Sequence, residues 1–161
     1  MEQVIDRVIV EVKALTELPA SEGGIADILP LKAVYFGDPG IMPVSLYPNV
    51  CVGPSDDDDS EGGETTGSDQ RTLSIDIILN LDARDYFDTD EEEASGDRAL
   101  VQAASAIGRW FRRRDKRQLD GLAGVRDVTV AGTQYRPMQR GQVITKSSRT
   151  TLHVTKNYLR E

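Results

Sequence analysis

The chain has 161 residues, 27 acidic and 19 basic side chains for a net charge of −8, and a 39% hydrophobic content, enough for one domain with a real core. A single cysteine, Cys51, excludes an internal disulfide and fits a reducing compartment. A single histidine, His153, leaves no His-based catalytic or metal constellation, and no window approaches the roughly 18–20 apolar residues of a membrane span. Residues 1–15 mix charges into their apolar positions and do not read as a signal peptide.

Residues 3–18 read as the first helix. Val4, Ile5, Val8, Ile9, Val12 and Leu15 make one apolar stripe, with Glu2, Asp6, Glu11 and Lys13 placed off it. Pro19 and Gly23-Gly24 end it. Residues 31–36 read as a strand closed by the turn Gly37-Asp38-Pro39-Gly40. Residues 44–52 form a second extended run, which Pro43 and Pro48 confine to an edge or to an irregular strand.

Residues 54–70 hold seven acids and no aliphatic or aromatic side chain, so they read as a loop that cannot pack. Deleting it is expected to change stability by no more than about 0.5 kcal/mol. Residues 71–82 then carry the strongest strand pattern. Leu73, Ile75, Ile77, Leu79 and Leu81 give a buried face, and Ser74, Asp76, Ile78, Asn80 and Asp82 a largely polar one. A second acidic insertion occupies 85–94.

Residues 96–114 read as the second helix, with Ser95 as its N-cap. Ala99, Leu100, Ala103, Ala104, Ile107 and Phe111 form its buried stripe. Acids lie before its start and Arg109, Arg112, Arg113 and Arg114 at its end, both favourable to the helix dipole. Residues 125–136 and 142–156 read as two strands joined around Pro137 to Gly141. The order α, β, β, loop, β, α, β, β predicts a single α+β domain over 1–161: a mixed or antiparallel sheet with two helices packed on one face.

The net charge conceals a division. Residues 1–53 carry a net of −4, residues 54–97 a net of −14 and residues 98–161 a net of +10. Oppositely charged faces of this kind suit stacking against complementary partners. No phosphate-binding, dinucleotide-binding, serine-hydrolase, zinc-protease or C-x-x-C motif occurs. The expectation is therefore no catalytic residue, no cofactor and no metal. Asp57-x-Asp59-x-Glu61-Gly62 imitates the opening of a calcium loop, but its twelfth position is Ser68, where the ion needs a bidentate glutamate.

The candidate interaction residues are Arg109, Trp110, Arg112, Arg113, Arg114, Lys116 and Arg117. Arginine and tryptophan together fit a protein contact better than a nucleic-acid one, because an acidic chain repels phosphates. The competing classes are a cellular α+β binding module and an enzyme.

The sequence of elements also resembles a known family. A leading amphipathic helix is followed by strands and the apolar strand Thr72–Asp82. Then come the helix with Leu100-Val101-Gln102-Ala103-Ala104-Ser105-Ala106-Ile107, the turn Leu119-Asp120-Gly121-Leu122, and a hairpin ending in Thr151-Leu152-His153-Val154. This resembles the tail terminator proteins of long-tailed bacteriophages, also called tail completion or head–tail joining proteins. The two acidic insertions depart from a minimal member of that family.

The resemblance implies a structural virion protein, assembled in the host cytoplasm, that acts without catalysis. Its members form a ring, usually a hexamer, at the head-proximal end of the tail tube. The ring stops tube polymerisation and offers a docking surface to the head connector, while DNA passes through its channel without specific binding. The implied partners are further copies of the chain, the tail tube protein and a head-side neck protein, with no membrane. A neck adaptor on the head side is the nearest alternative role. In such a ring Asp56, Asp57, Asp58, Asp59, Glu61 and Glu64 would line the channel or the ring surface.

Overall fold

The computed structural model describes residues 1–55, 60–65, 68–82 and 95–159. Helix α1 spans Glu2–Glu17 and helix α2 Ser95–Arg112. The strands are β1 (Ala33–Phe36), β2 (Asn49–Pro54), β3 (Ser60–Thr65), β4 (Ser68–Asp82), β5 (Val125–Arg140) and β6 (Val143–Leu159). They form one six-stranded sheet in the order β1-β2-β4-β6-β5, with β3 beside β4. The β1–β2 pair is parallel and every other pair antiparallel, so the sheet is mixed and the fold is α+β.

Both helices cover one face of the sheet. Val4, Ile5, Val8, Val12 and Leu15 of α1 meet Val50 and Val52 of β2, the odd-numbered residues Leu73 to Leu81 of β4, and Leu152 and Val154 of β6. Leu100, Ala103, Ala106, Ile107, Trp110 and Phe111 of α2 complete the same core. Period-two alternation on β4 and helical periodicity on α1 and α2 thus converge on one apolar layer. Gly24 marks a tight spot where the chain leaves α1: a Cβ there would stand 2.0 Å from the Leu18 carbonyl oxygen.

Several elements differ from their sequence-based expectation. The stretch 54–70 is not one unpaired loop. Ser60–Thr65 pairs with β4 through the register Ser60↔Thr72, Glu61↔Arg71, Glu64↔Asp69 and Thr65↔Ser68, with a bulge between Glu61 and Glu64. Backbone pairing needs no apolar side chains, so a strand forms where composition alone argued for none. Glu61 and Ser68, two positions of the calcium-like spacing, therefore lie in paired strands. Asp56 to Asp59 and the insertion 85–94 lie outside the described residues.

The second face of β4 is not a solvated one. Ser74, Asp76, Ile78, Asn80 and Asp82 are all buried. The connection between β1 and β2 crosses over this face, as a parallel pair requires. It places Met42 and Tyr47 on Cys51 and Ile78, flanked by Tyr35, Met138 and Val143. The expected extended run 44–52 divides into a 3-10 turn at Val44–Leu46 and strand β2, with a cis Tyr47–Pro48 bond between them. β2 is an interior strand; its prolines sit before its first residue and at its last. Pro137 lies within β5, an edge strand where its missing N–H is tolerated, and the hairpin turns at Gly141-Gln142 instead.

Candidate functional site: the basic end of the second helix

The last turn of α2 and the segment after it display cations on an internally neutralised base. Arg109, Arg112, Arg113, Arg114 and Arg117 are exposed. Arg113 pairs with Asp115 at 3.7 Å and Arg117 with Asp127 at 3.9 Å, both solvent-facing. Among the described residues Arg109, Arg112 and Arg114 have no ion-pair partner. Helical geometry dictates the display of Arg109 and Arg112, because Ile107, Trp110 and Phe111 already occupy the inward stripe; α2 ends at Arg112 rather than at the expected 114, so Arg113, Arg114 and Arg117 are displayed from the turns that follow it.

Trp110 and Lys116 play a different part from the surface contact expected of them. Trp110 is only 6% exposed. Its indole Nε1 donates to Glu11 Oε2 at 3.1 Å. Lys116 Nζ stands 3.0 Å from the same Glu11 oxygen and 3.2 Å from Asp120 Oδ2. Arg7 completes the cluster, bonding Glu11 at 3.3 Å and also reaching Asp120. Glu11 is itself 2% exposed, which corrects the expectation that it lies off the apolar stripe. Its position was legible: 4, 8, 11 and 15 follow helical spacing, and a buried carboxylate there requires cationic partners. Burial alone would lower the Lys116 pKa, but the bonds to Glu11 and Asp120 outweigh it and leave it raised.

The Leu119-Asp120-Gly121 turn makes this cluster possible. Leu119 and Asp120 hold φ values of 46° and 50°, in the left-handed region that non-glycine residues seldom adopt. The turn buries Leu119 in the main core and returns the Asp120 carboxylate to Arg7 and Lys116. Outward of this base, the Arg113 guanidinium lies 4.8 Å and Lys116 Nζ 5.2 Å from the Trp110 ring centroid. The cations are thus stacked on an aromatic plate whose orientation a buried carboxylate fixes.

A second polar centre lies at the tip of the β5–β6 hairpin, where sequence reasoning saw only a turn. Arg140 is buried and grips Asp38 with two guanidinium nitrogens, one bond being 2.8 Å. It also donates to the Gly40 carbonyl and to Asn80 Oδ1, each at 3.2 Å. Ser147 donates to the same Asn80 oxygen at 2.8 Å, and Asn80 donates to Asn49 at 3.1 Å. Hydrogen bonds from Arg140 hold the Asp38 carboxyl below its ordinary pKa, against the upward push of burial. This clamp fastens the crossover between β1 and β2 to the hairpin.

Cys51 and His153 are not brought together. Burial pushes the Cys51 thiol up to about 11, far from the depressed value of a nucleophile. His153 Nδ1 lies 3.1 Å from the buried Ser74 hydroxyl on the neighbouring strand. Among the described residues no group of three or more His, Cys, Asp or Glu is placed to hold a metal ion, and no helix is long and apolar enough to cross a membrane. A largely apolar groove of about 280 Å³ opens between the start of α2 (Leu100, Val101) and the hairpin (Tyr135, Arg136, Pro137, Lys146, Ser147).

No protein-family model and no curated protein matches the chain. Among solved structures, it is similar to a chain described as "Virion of native gene transfer agent (GTA) particle". The likeness covers 89% of this chain and 91% of that one, at 16% identity and a TM-score of 0.47.

Proposed function

We propose that this chain is a structural, non-catalytic protein of a phage-like virion. In this reading it forms a ring, most simply a hexamer, at the head-proximal end of the tail tube, stops tube growth and receives the head connector. The observation that carries the reading is the basic end of α2. Five exposed arginines stand on a base made rigid by Glu11, Trp110, Lys116 and Asp120. Such a surface binds carboxylates through charge-assisted, often bidentate bonds, and being held in place beforehand it loses little freedom on contact. The resemblance of the Leu119–Leu122 turn and its flanking elements to tail terminators supports the same reading. Arg109, Arg112, Arg113, Arg114 and Arg117 are the joining residues, and acidic groups on a neighbouring subunit or on the tail tube are their partners, rather than DNA.

The test reverses Arg112, Arg113 and Arg114 to glutamate. All three side chains are exposed, so the variant is expected to fold with a melting temperature close to the parent's. It is expected not to complete tails or join heads. Joined particles at the parent's yield, or an assembled neck whose copy number of this chain does not match the tube's symmetry, would sink the reading.

A further inference from the structure

We infer that two copies of this chain join edge to edge, with β1 of one copy continuing the sheet of the next along β5. The inference rests on the ring reading above and names one of its contacts. It starts from the two outer strands of the sheet. In the order β1-β2-β4-β6-β5, β1 and β5 each have one described neighbour, so each presents a row of backbone N–H and C=O groups on its outer side. Such edges are ordinarily guarded by charges or prolines. β1, Ala33–Phe36, holds neither, and β5 holds neither from Val128 to Tyr135. Its guards flank that stretch: Arg126 and Asp127 before it, Arg136 and Pro137 after it, with one bulge between Val130 and Gly132.

The two unguarded stretches stand at the same height on the sheet. Val34 is in register with Val50, Leu79, Ser148 and Tyr135 in turn, and Phe36 with Val52, Ile77, Thr150 and Thr133. The strand directions along that path make β1 antiparallel to β5. A copy placed beside the first in the same orientation therefore offers its β1 to β5 as an antiparallel pair at matching height. The two edges cannot meet within one copy, because three strands hold them about 19 Å apart.

The side chains complement one another as the backbones do. Phe36 and Tyr135 lie in rows with the core residues Val52 and Leu79, so both stand on the face that the helices cover. Phe36 is 53% exposed and Tyr135 48%. Tyr135 lines the apolar groove beside β5 together with Leu100, Val101 and Pro137. At matching height Phe36 of the added strand is the diagonal neighbour of Tyr135, a separation that an aromatic side chain spans. The groove at one edge thus takes the ring that the other edge leaves in water. The contact joins two different edges, so it is heterologous, and repeated around an axis it closes a ring. It leaves the arginine surface at the end of α2 free for acidic partners.

The experiment places cysteines at the two exposed aromatics of the full chain. The native Cys51 is buried and stays in place. The F36C/Y135C variant is treated with a short bismaleimide, both as concentrated isolated protein and in purified particles. The expected result is a ladder of covalent multimers. F36C alone and Y135C alone should stay monomeric, and an equal mixture of the two should give dimers. Only monomer from the double variant in both preparations, or dimers from either single variant, would overturn the proposal.

Amide hydrogen exchange gives the second measurement. Association should slow exchange of the outward amides within 33–36 and 129–135 by about ten-fold or more. Phe36→Lys and Tyr135→Lys should each abolish association and leave the circular dichroism spectrum unchanged. Association that survives both substitutions, or that leaves those amides unprotected, overturns the edge contact while leaving the ring reading intact. Cross-linked pairs from a neck that holds no closed ring would keep the contact and remove the ring.

Discussion

At the scale of single residues, Arg140 and Asp38 illustrate a buried charge made tolerable by pairing of both terminal guanidinium nitrogens, although the buried Arg140 Nε has no partner among the described residues. Replacing Arg140 with methionine leaves Asp38 without its partner and Asn80 short of a donor. That should cost about 2–3 kcal/mol in chemical denaturation, below the roughly 3–5 kcal/mol of a fully buried pair because the Asp38 side chain is 31% exposed. Adding Asp38→Asn to that variant should recover part of the loss, so the two effects will not sum. The pair also fixes an acid limit. Because the folded Asp38 pKa lies below its unfolded value, its stabilisation is fully present above about pH 4 and is lost as pH falls through the lowered folded value. Denaturation midpoints measured from pH 6 down to pH 2 should therefore fall less in Arg140→Met than in the parent. The sequence showed that Arg140 and Asp38 existed and nothing more, since their pairing joins positions 102 residues apart. The exposed Arg109 and Arg112 of α2 were legible because a local helical period decides them, and the same period puts Trp110 inward with Ala103 and Ile107. Its bond to Glu11 was not legible, because that partner lies 99 residues earlier.

At the scale of elements, the helices and the apolar face of β4 follow from periodicity, and the structure places them where that pattern predicts. What composition hid was pairing. β3 has no side chain that signals a strand, yet four register pairs tie it to β4. Replacing Ser60–Thr65 by a Gly/Ser linker of the same length, which leaves β4 its full span, should cost about 1–2 kcal/mol, the sum expected of a few cross-strand pairs, rather than the half kilocalorie expected of a free loop. An unchanged melting curve would show that β3 adds nothing to the sheet. The exit from α1 offers a sharper case. Gly24→Ala drives a methyl into the Leu18 carbonyl, a backbone group that cannot step aside. A loss of about 2 kcal/mol or more is expected, visible as a lower thermal midpoint.

For the whole molecule, the basic end of α2 and the acidic segment 54–97 make the chain strongly unsymmetrical in charge. In the proposed ring, association between copies should accordingly weaken as salt rises, while the fold, held by the apolar layer between helices and sheet, should change little. Sedimentation and circular dichroism over the same salt series separate the two responses. The domain class was readable from the order of elements, whereas the covering of the second sheet face was not. That covering follows from one parallel pair, β1 with β2, whose crossover no local pattern announces.

The β4–β6 ladder has a consequence in time. Its partners lie 63 to 91 residues apart along the chain, from Asp82 with Thr145 to Ser68 with Leu159. A sheet centred on such distant partners closes late, because the entropy of a long loop is lost before any pairing rewards it. The β5–β6 hairpin, whose halves are adjacent, can form alone. Until it docks, β4, whose apolar face carries Leu73, Ile75, Ile77, Leu79 and Leu81, keeps an unpaired backbone edge along its β6 side. The acids that bracket this strand in sequence make half-folded copies repel one another during that interval. Those carboxylates would then guard the nascent chain from aggregation.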